Sequence, residues 1–142
     1  MDIAVIGSRK YAYLEEVREY VQHLSPGDRI ISGHAIGPDQ TAEDEGRKCG
    51  LEVLSLPAQW ELYGRGAGYR RNVDIVSLSD KVVAFWDCFS KGTLHSITLA
   101  IKVNKPVELF VSSVDSIDPR SEVWKRLIGD GSLVRLMNPY KH

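Results

Sequence analysis

The residues best suited to chemistry lie in three short loops of small and polar residues, each of which follows an apolar run. The loops cover residues 7–9, 32–39 and 87–93. The second and third loops are each followed by a helix-like stretch. A strand, a small-residue loop and a helix in that order point backbone N–H groups at the helix N-terminus, where an anion is favoured. The three loops therefore predict one anion-binding crevice.

Several of these residues could contact a ligand directly. Serine and threonine supply hydroxyl donors, successive backbone N–H groups form a nest for an anion, and a guanidinium binds phosphate or carboxylate through two hydrogen bonds. The alternatives are helix capping for Ser90 and Thr93, and surface salt bridges for Arg9 and Arg71. The candidate binding residues are Gly7, Ser8, Arg9, Gly33, Gly37, Arg71, Asn72, Ser90, Gly92 and Thr93.

Two carboxylates and one aromatic residue complete the candidate site. Asp39 and Asp87 could act as acid or base if their pKa values were shifted, and Asp39 could instead stabilise its own helix or bind a ribose hydroxyl. Trp60 lies in a glycine-rich stretch and could stack on a base, although an aromatic residue more often belongs to a core. Residues 43–45 are acidic and are predicted to form an exposed helical face.

Apolar runs and helical periodicity alternate along the chain. This alternation predicts an α/β fold with a parallel sheet of about five strands flanked by helices. We expect one domain over residues 1–142, with a core at about 1–111 and a C-terminal extension at about 112–142. In the extension, a helix is predicted near 118–128, and residues 133–137 could form a final strand or a packed extension. The core strands are predicted at 3–6, 29–32, 51–56, 81–86 and 106–111, and the helices at 14–24, 38–48, 69–78 and 94–102.

Composition limits the function classes. The net charge is −1, which argues against a nucleic-acid partner because such binding needs a basic excess. Cys49 and Cys88 form no C-x-x-C pair, and no His/Cys cluster has metal-ligand spacing, so no metal is expected. No cofactor is expected either. A strand begins at the N-terminus and no apolar run approaches 18 residues, which predicts a cytoplasmic protein with no signal peptide and no membrane contact.

The loop sequences occur together with further short motifs in a fixed order. The motifs are Ile6-Gly7-Ser8-Arg9, the stretch 32–39, Pro57-Ala58-Gln59-Trp60, the stretch 67–72, Trp86-Asp87 and Ser90-Lys91-Gly92-Thr93. In this order they resemble the SLOG superfamily of Rossmann-like domains, over about residues 3–111. That superfamily includes the lonely-guy phosphoribohydrolases, the DNA-processing proteins, and small uncharacterised bacterial and phage domains. The chain is most similar to the last group.

The resemblance implies that a nucleotide or nucleotide-derived small molecule binds at the C-terminal edge of a Rossmann-like sheet. It also implies a homo-oligomer. Hydrolysis of an N-glycosidic bond in nucleoside monophosphates is one alternative, and single-stranded DNA binding is another. Ser96 stands where the hydrolases carry a catalytic glutamate, so whether the protein is an enzyme stays open. His34 replaces a glycine of the pattern, and its Cβ is expected to narrow the second loop.

Overall fold

The computed structural model describes residues 1–112 and 133–138. Its centre is one six-stranded sheet in which all strand pairs are parallel, in the order β3-β2-β1-β4-β5-β6. The strands are short apolar runs, and the central ones are buried on both faces, as parallel strands covered by helices should be. They are β1 Asp2–Gly7, β2 Arg29–Ser32, β3 Glu52–Ser55, β4 Lys81–Trp86, β5 Val107–Val111 and β6 Val134–Leu136.

Helices cover both faces of the sheet. Two of them, α1 (Leu14–Gln22) and α2 (Pro38–Lys48), pack on one face, and their buried residues join those of β1, β2 and β4 in one apolar cluster. The other face carries α4 (Ala67–Leu78) and α5 (Lys91–Lys102), which form a second cluster with β1, β4 and β5. A short helix α3 (Trp60–Tyr63) and a 3₁₀ turn (Gly64–Gly66) precede α4.

Local residues explain where the two site-bearing helices begin. Pro38 is the first residue of α2, where its fixed φ suits a helix and its missing N–H costs nothing. Gly37 precedes it with φ +100°, a conformation that glycine adopts without a Cβ penalty. Ser90 is the N-cap of α5, and its side chain accepts a hydrogen bond from the Thr93 backbone N–H. Both helices therefore start beside the carboxyl ends of strands.

The predicted α/β fold is confirmed. The bounds of β2 and β4 are as predicted, whereas α4 begins at Ala67 and α5 at Lys91, each a few residues before the predicted start. Of the two possibilities for residues 133–137, the structure shows a strand, because β6 pairs with β5 from Val107↔Val134 onward. The predicted helix near 118–128 lies outside the described residues.

The strand order creates a crevice at one point of the sheet edge. From β1 the chain adds β2 and β3 on one side, and it then crosses to add β4, β5 and β6 on the other. In open α/β sheets, ligands bind outside the carboxyl ends of the strands at such a switch point. The loops after β1 and β4 meet there, so the fold brings together two of the three loops that were predicted to form the crevice. None of the described helices has the length and apolar character needed to cross a membrane.

Candidate functional site

A cavity of about 310 Å³ opens at the switch point between β1 and β4. Its volume is at the lower end of the roughly 300–1,000 Å³ range typical of small-molecule sites. Five lining residues were not selected from the sequence as ligand contacts: Ile6, Lys10, Ala35, Ile75 and Ser96. The predicted residues that line it are Gly7, Arg9, Asp39, Arg71, Asn72, Asp87, Ser90, Gly92 and Thr93. Most of the predicted site residues, although they are far apart in the sequence, therefore line one cavity.

Asp39 joins two of the loops to α2. One carboxylate oxygen accepts from the Gly7 backbone N–H and the other from the Gly33 backbone N–H, both at 3.0 Å. The side chain is 3% exposed. Burial raises the pKa of Asp39 to about 6, while the Arg71 charge and the backbone N–H groups partly offset that rise. Because both oxygens already accept backbone hydrogen bonds, Asp39 holds the loops in place more directly than it could act on a ligand.

Three hydroxyl groups form a chain that ends at the cavity. The Asp87 N–H donates to Ser8 Oγ (3.1 Å), Ser8 Oγ lies 3.1 Å from Thr93 Oγ1, and Thr93 Oγ1 donates to Ser90 Oγ (3.2 Å). Since Thr93 has one hydroxyl proton, Ser8 must be the donor to Thr93. Ser90 Oγ accepts twice, and its own proton has no acceptor among the described residues. The chain therefore leaves the Ser90 hydroxyl free to donate to a bound anion.

Replacing Ser90 with alanine is expected to lower the free energy of unfolding by about 1 kcal/mol, because the Thr93 N–H loses its capping oxygen. Urea unfolding of the two proteins measures the difference. Ser77→Ala is the matched control, since Ser77 is exposed on α4 and its hydroxyl makes no hydrogen bond among the described residues. Equal stability of the two variants would show that Ser90 does not cap α5 in solution.

The loop after β4 is held by several hydrogen bonds. One oxygen of Asp87 accepts from the backbone N–H groups of Phe89 (2.9 Å) and Ser90 (2.8 Å), and Trp86 Nε1 donates to the Ser90 carbonyl. Cys88 adopts φ +71° between them. Burial, with a smaller effect of the Asp87 charge, raises the pKa of the Cys88 thiol to about 11. The loop therefore has a defined backbone shape, and the second Asp87 oxygen has no hydrogen-bond partner in the described part of the chain.

Arg71 and Asn72 connect the start of α4 to two of the loops. Arg71 Nη1 donates to the Gly33 carbonyl (2.7 Å) and its Nε donates to Asn72 Oδ1 (3.1 Å). The Asn72 amide donates to the Gly92 carbonyl and lies 3.2 Å from His95 Nδ1. His95 Nδ1 is then an acceptor, which fits a neutral ring, and burial lowers the pKa of His95. The remaining N–H groups of Arg71 could donate to a ligand. Asn72 mainly holds Arg71, the Gly92 backbone and His95 in place.

Arg9 and Lys10 bring free positive charge to the cavity. Both line it and both are exposed. Within residues 1–112 and 133–138, neither side chain forms a hydrogen bond or an ion pair. Lys10 was not predicted as a site residue, although its position directly after Arg9 places a second cation beside the first loop. With Arg71, the cavity wall carries three cations against the carboxyl groups of Asp39 and Asp87.

His34 and its surroundings differ from the sequence expectation. Its φ is +59°, a conformation that glycine adopts without a Cβ penalty. Its side chain turns to α2, where Nδ1 lies 2.9 Å from Glu43 Oε2, and it is the next residue, Ala35, that lines the cavity. The prediction of an exposed acidic face at 43–45 is wrong for Glu43 and Glu45, which are buried. Glu43 faces His34, and Glu45 accepts from Gln22.

The remaining predicted residues lie outside the cavity lining. Ser8 is buried behind Thr93, Gly33 binds Arg71 and Asp39 through its backbone, and Gly37 precedes α2. Trp60 is 55% exposed, and its ring lies 3.3 Å from the position that a Cβ on Gly68 would take. Trp60 therefore packs on the start of α4. Base stacking by Trp60 stays a prediction.

The arrangement is suited to holding an anion beside a small polar ligand. Cations, a free hydroxyl and the N-terminus of α5 converge, and Gly92 leaves open space where a side chain would project. Of the two candidate acid/base groups, only Asp87 lines the cavity with an oxygen that lacks a described partner. Among the described residues, no group of three His, Cys, Asp or Glu side chains could hold a metal ion.

Similar folds occur among solved structures. The molybdenum cofactor binding protein of Rippkaea orientalis is 19% identical, with 95% of this chain and 88% of that chain covered and a TM-score of 0.66. The molybdenum cofactor carrier protein of Chlamydomonas reinhardtii is 18% identical, with 94% and 88% covered and a TM-score of 0.67. DNA processing protein A of Helicobacter pylori, which binds single-stranded DNA, is 20% identical, with 89% and 72% covered and a TM-score of 0.62.

These likenesses confirm the Rossmann-like α/β fold and, at the level of the fold, the resemblance to DNA-processing proteins. No protein-family model matches the sequence, and no curated protein matches it. Similarity to the small bacterial and phage domains stays a prediction.

Proposed function

We propose that this protein binds a nucleotide or a nucleotide-derived small molecule at the carboxyl edge of its sheet, with the phosphate in the cavity between β1 and β4. The observation that carries the proposal is a pair of exposed cations, Arg9 and Lys10, which have no partner in the described part of the chain and lie beside the Ser90 hydroxyl and the start of α5. A phosphate placed there would be neutralised by two side chains that form no ion pair with any described residue. The switch-point position supports it independently.

Calorimetric titration of the protein with AMP, GMP, CMP and UMP tests this proposal. At least one is expected to bind, and the double variant Arg9→Gln/Lys10→Gln is expected to weaken that binding about 10- to 100-fold, because two charge-assisted contacts are lost. The variant should keep the free energy of unfolding within about 0.5 kcal/mol of the starting protein, since both side chains are exposed.

The matched control is Lys48→Gln/Lys102→Gln. It removes the same charge from the C-terminal ends of α2 and α5, at the opposite ends of these helices from the cavity. Its affinity should be unchanged. The proposal is wrong if no nucleotide binds, or if the control variant loses as much affinity as the Arg9/Lys10 variant, because binding would then depend on overall charge and not on the cavity.

An N-glycosidic hydrolase is a second candidate, favoured by the Asp87 oxygen that accepts no hydrogen bond from a described residue and belongs to a side chain of the cavity lining. Ser96 also lines the cavity, at the position where the lonely-guy hydrolases carry their catalytic glutamate. It is buried and donates a long hydrogen bond to the Gly92 carbonyl (3.5 Å). Incubation with the nucleoside monophosphates, followed by chromatography for free base, separates this candidate from simple binding.

The structural neighbours suggest two other ligands. The molybdenum cofactor is anionic, so Arg9, Lys10 and Arg71 would face its charge as they would face a phosphate. Single-stranded DNA is favoured by the likeness to DNA processing protein A, which outweighs an exclusion based on net charge alone. A gel-shift experiment with an oligonucleotide at two salt concentrations tests DNA binding, because phosphate contacts weaken steeply with salt.

A further inference from the structure

Phe89 is an aromatic side chain that the fold leaves almost wholly in solvent, at 82% exposure. It lies in the loop after β4, between Asp87 and Ser90, and both of these residues line the cavity. Single exposed apolar residues are common at protein surfaces. Phe89 is different because Asp87, two residues before it, and Ser90, directly after it, line a cavity that also carries cations.

The backbone that carries Phe89 is held in one shape. Its N–H donates to Asp87 Oδ1 (2.9 Å), as does the N–H of Ser90 (2.8 Å). Before this turn, the Asp87 N–H donates a hydrogen bond to Ser8 Oγ. After it, the Ser90 carbonyl accepts a hydrogen bond from Trp86 Nε1. The ring thus stands on a pre-ordered loop, so that a flat ligand stacking on it would lose little conformational freedom of the backbone.

We infer that Phe89 is the stacking platform for the heterocyclic ring of the ligand whose phosphate binds between Arg9, Lys10 and Ser90. This inference rests on the proposed function and adds the recognition of a flat aromatic ring to that of a phosphate. Phe89 is not among the residues that line the small cavity, so in this inference the phosphate occupies the cavity and the heterocyclic ring extends past Ser90 onto the exposed face of Phe89. Every nucleobase has a flat π-face, so the contact selects for a ring more than for one base.

Phe89→Ala is expected to weaken binding of the tightest of AMP, GMP, CMP and UMP about 5- to 100-fold, the usual effect of removing one stacked aromatic side chain. Phe89→Tyr keeps a flat ring and should bind within about twofold of the starting protein. Ribose 5-phosphate, which has the phosphate but no base, should bind Phe89→Ala and the starting protein equally. Calorimetric titration measures all three.

Val103→Ala is the matched control. Val103 is an exposed apolar residue that follows the C-terminal end of α5, whereas the Phe89 loop precedes its N-terminal end. Unchanged nucleotide affinity in Phe89→Ala, or equal losses in Phe89→Ala and Phe89→Tyr, would overturn the inference while leaving the phosphate site intact. If neither the nucleotides nor ribose 5-phosphate bind the starting protein, the proposed function itself fails, and this inference fails with it.

Discussion

Replacing Asp39 with alanine is expected to lower the free energy of unfolding by about 3 kcal/mol, because the backbone N–H groups of Gly7 and Gly33 lose their acceptor. Asp39→Asn should lower the free energy of unfolding by less than Asp39→Ala does. Its amide oxygen can accept from one N–H group while its NH₂ faces the other. Urea unfolding at pH 7 measures both values, and Asp44→Ala, an exposed position on the same helix, is the control.

The Asp39 variants should also change how stability depends on pH. The pKa of Asp39 is raised from 3.8 to about 6 in the folded protein, so the folded state binds this proton more tightly than the unfolded chain does. The part of this stabilisation that depends on protonation of Asp39 is therefore fully present below pH 3.8 and is lost as the pH rises through about 6, whereas the hydrogen bonds from Gly7 and Gly33 are still accepted at pH 7.

Unfolding curves taken in steps from about pH 4 to about pH 7 should show that decline in the starting protein and a smaller one in both variants. An Asp39→Asn protein whose stability has the same pH profile as the starting protein would show that another group causes the decline. A stability loss in Asp44→Ala as large as that in Asp39→Ala would show that the hydrogen bonds to the loops are not the cause.

Gly7→Ala is expected to destabilise the protein by about 3 kcal/mol, at the upper end of the range for overpacking. A Cβ at Gly7 would lie 2.6 Å from Pro38 Cβ and 2.7 Å from the Phe85 carbonyl oxygen, so backbone on both sides would have to move. Urea unfolding tests this, with Gly27→Ala as the control, because nothing lies within 4 Å of a Cβ there.

Gly92→Ala separates stability from binding. A Cβ at Gly92 has no heavy atom within 4 Å, and alanine is a better helix former than glycine, so the variant should fold at least as stably. Its methyl group would stand at the cavity wall, so its nucleotide affinity should fall. Equal destabilisation by Gly7→Ala and Gly92→Ala would contradict the packing described for Gly7.

Much of the fold could be predicted because its elements have local causes. The runs at Arg29–Ser32 and Lys81–Trp86 are short and apolar, and Pro38 and Ser90 mark helix starts. The short helix Trp60–Tyr63 was not predicted, since one turn is too short to show a helical period. Glu43 was misplaced because acidic residues suggest an exposed face, whereas burial beside His34 depends on how α2 packs.

The loops of the site could be predicted from the sequence, but the roles of single residues in it could not. Loops at strand ends identified seven of the fourteen residues that line the cavity, since parallel strands bring their carboxyl ends to one edge. The role of Asp39 could not be read from the sequence because one of its partners, Gly7, belongs to another loop, and the other, Gly33, lies six residues before it. Phe89 was passed over for Trp60, because the sequence does not show which aromatic side chain packs on a glycine and which one stays in solvent.

The central position of β1 has a consequence for how the chain reaches its native state. One edge of β1 pairs with β2, the next strand, but the other pairs with β4, from Ile3↔Lys81 onward. Contacts between residues so far apart in sequence slow folding. During synthesis, one apolar edge of β1 stays unpaired until β4 has left the ribosome. Unpaired strand edges promote association with other chains. The cavity needs both strands, so it can form only after β4 has been synthesised.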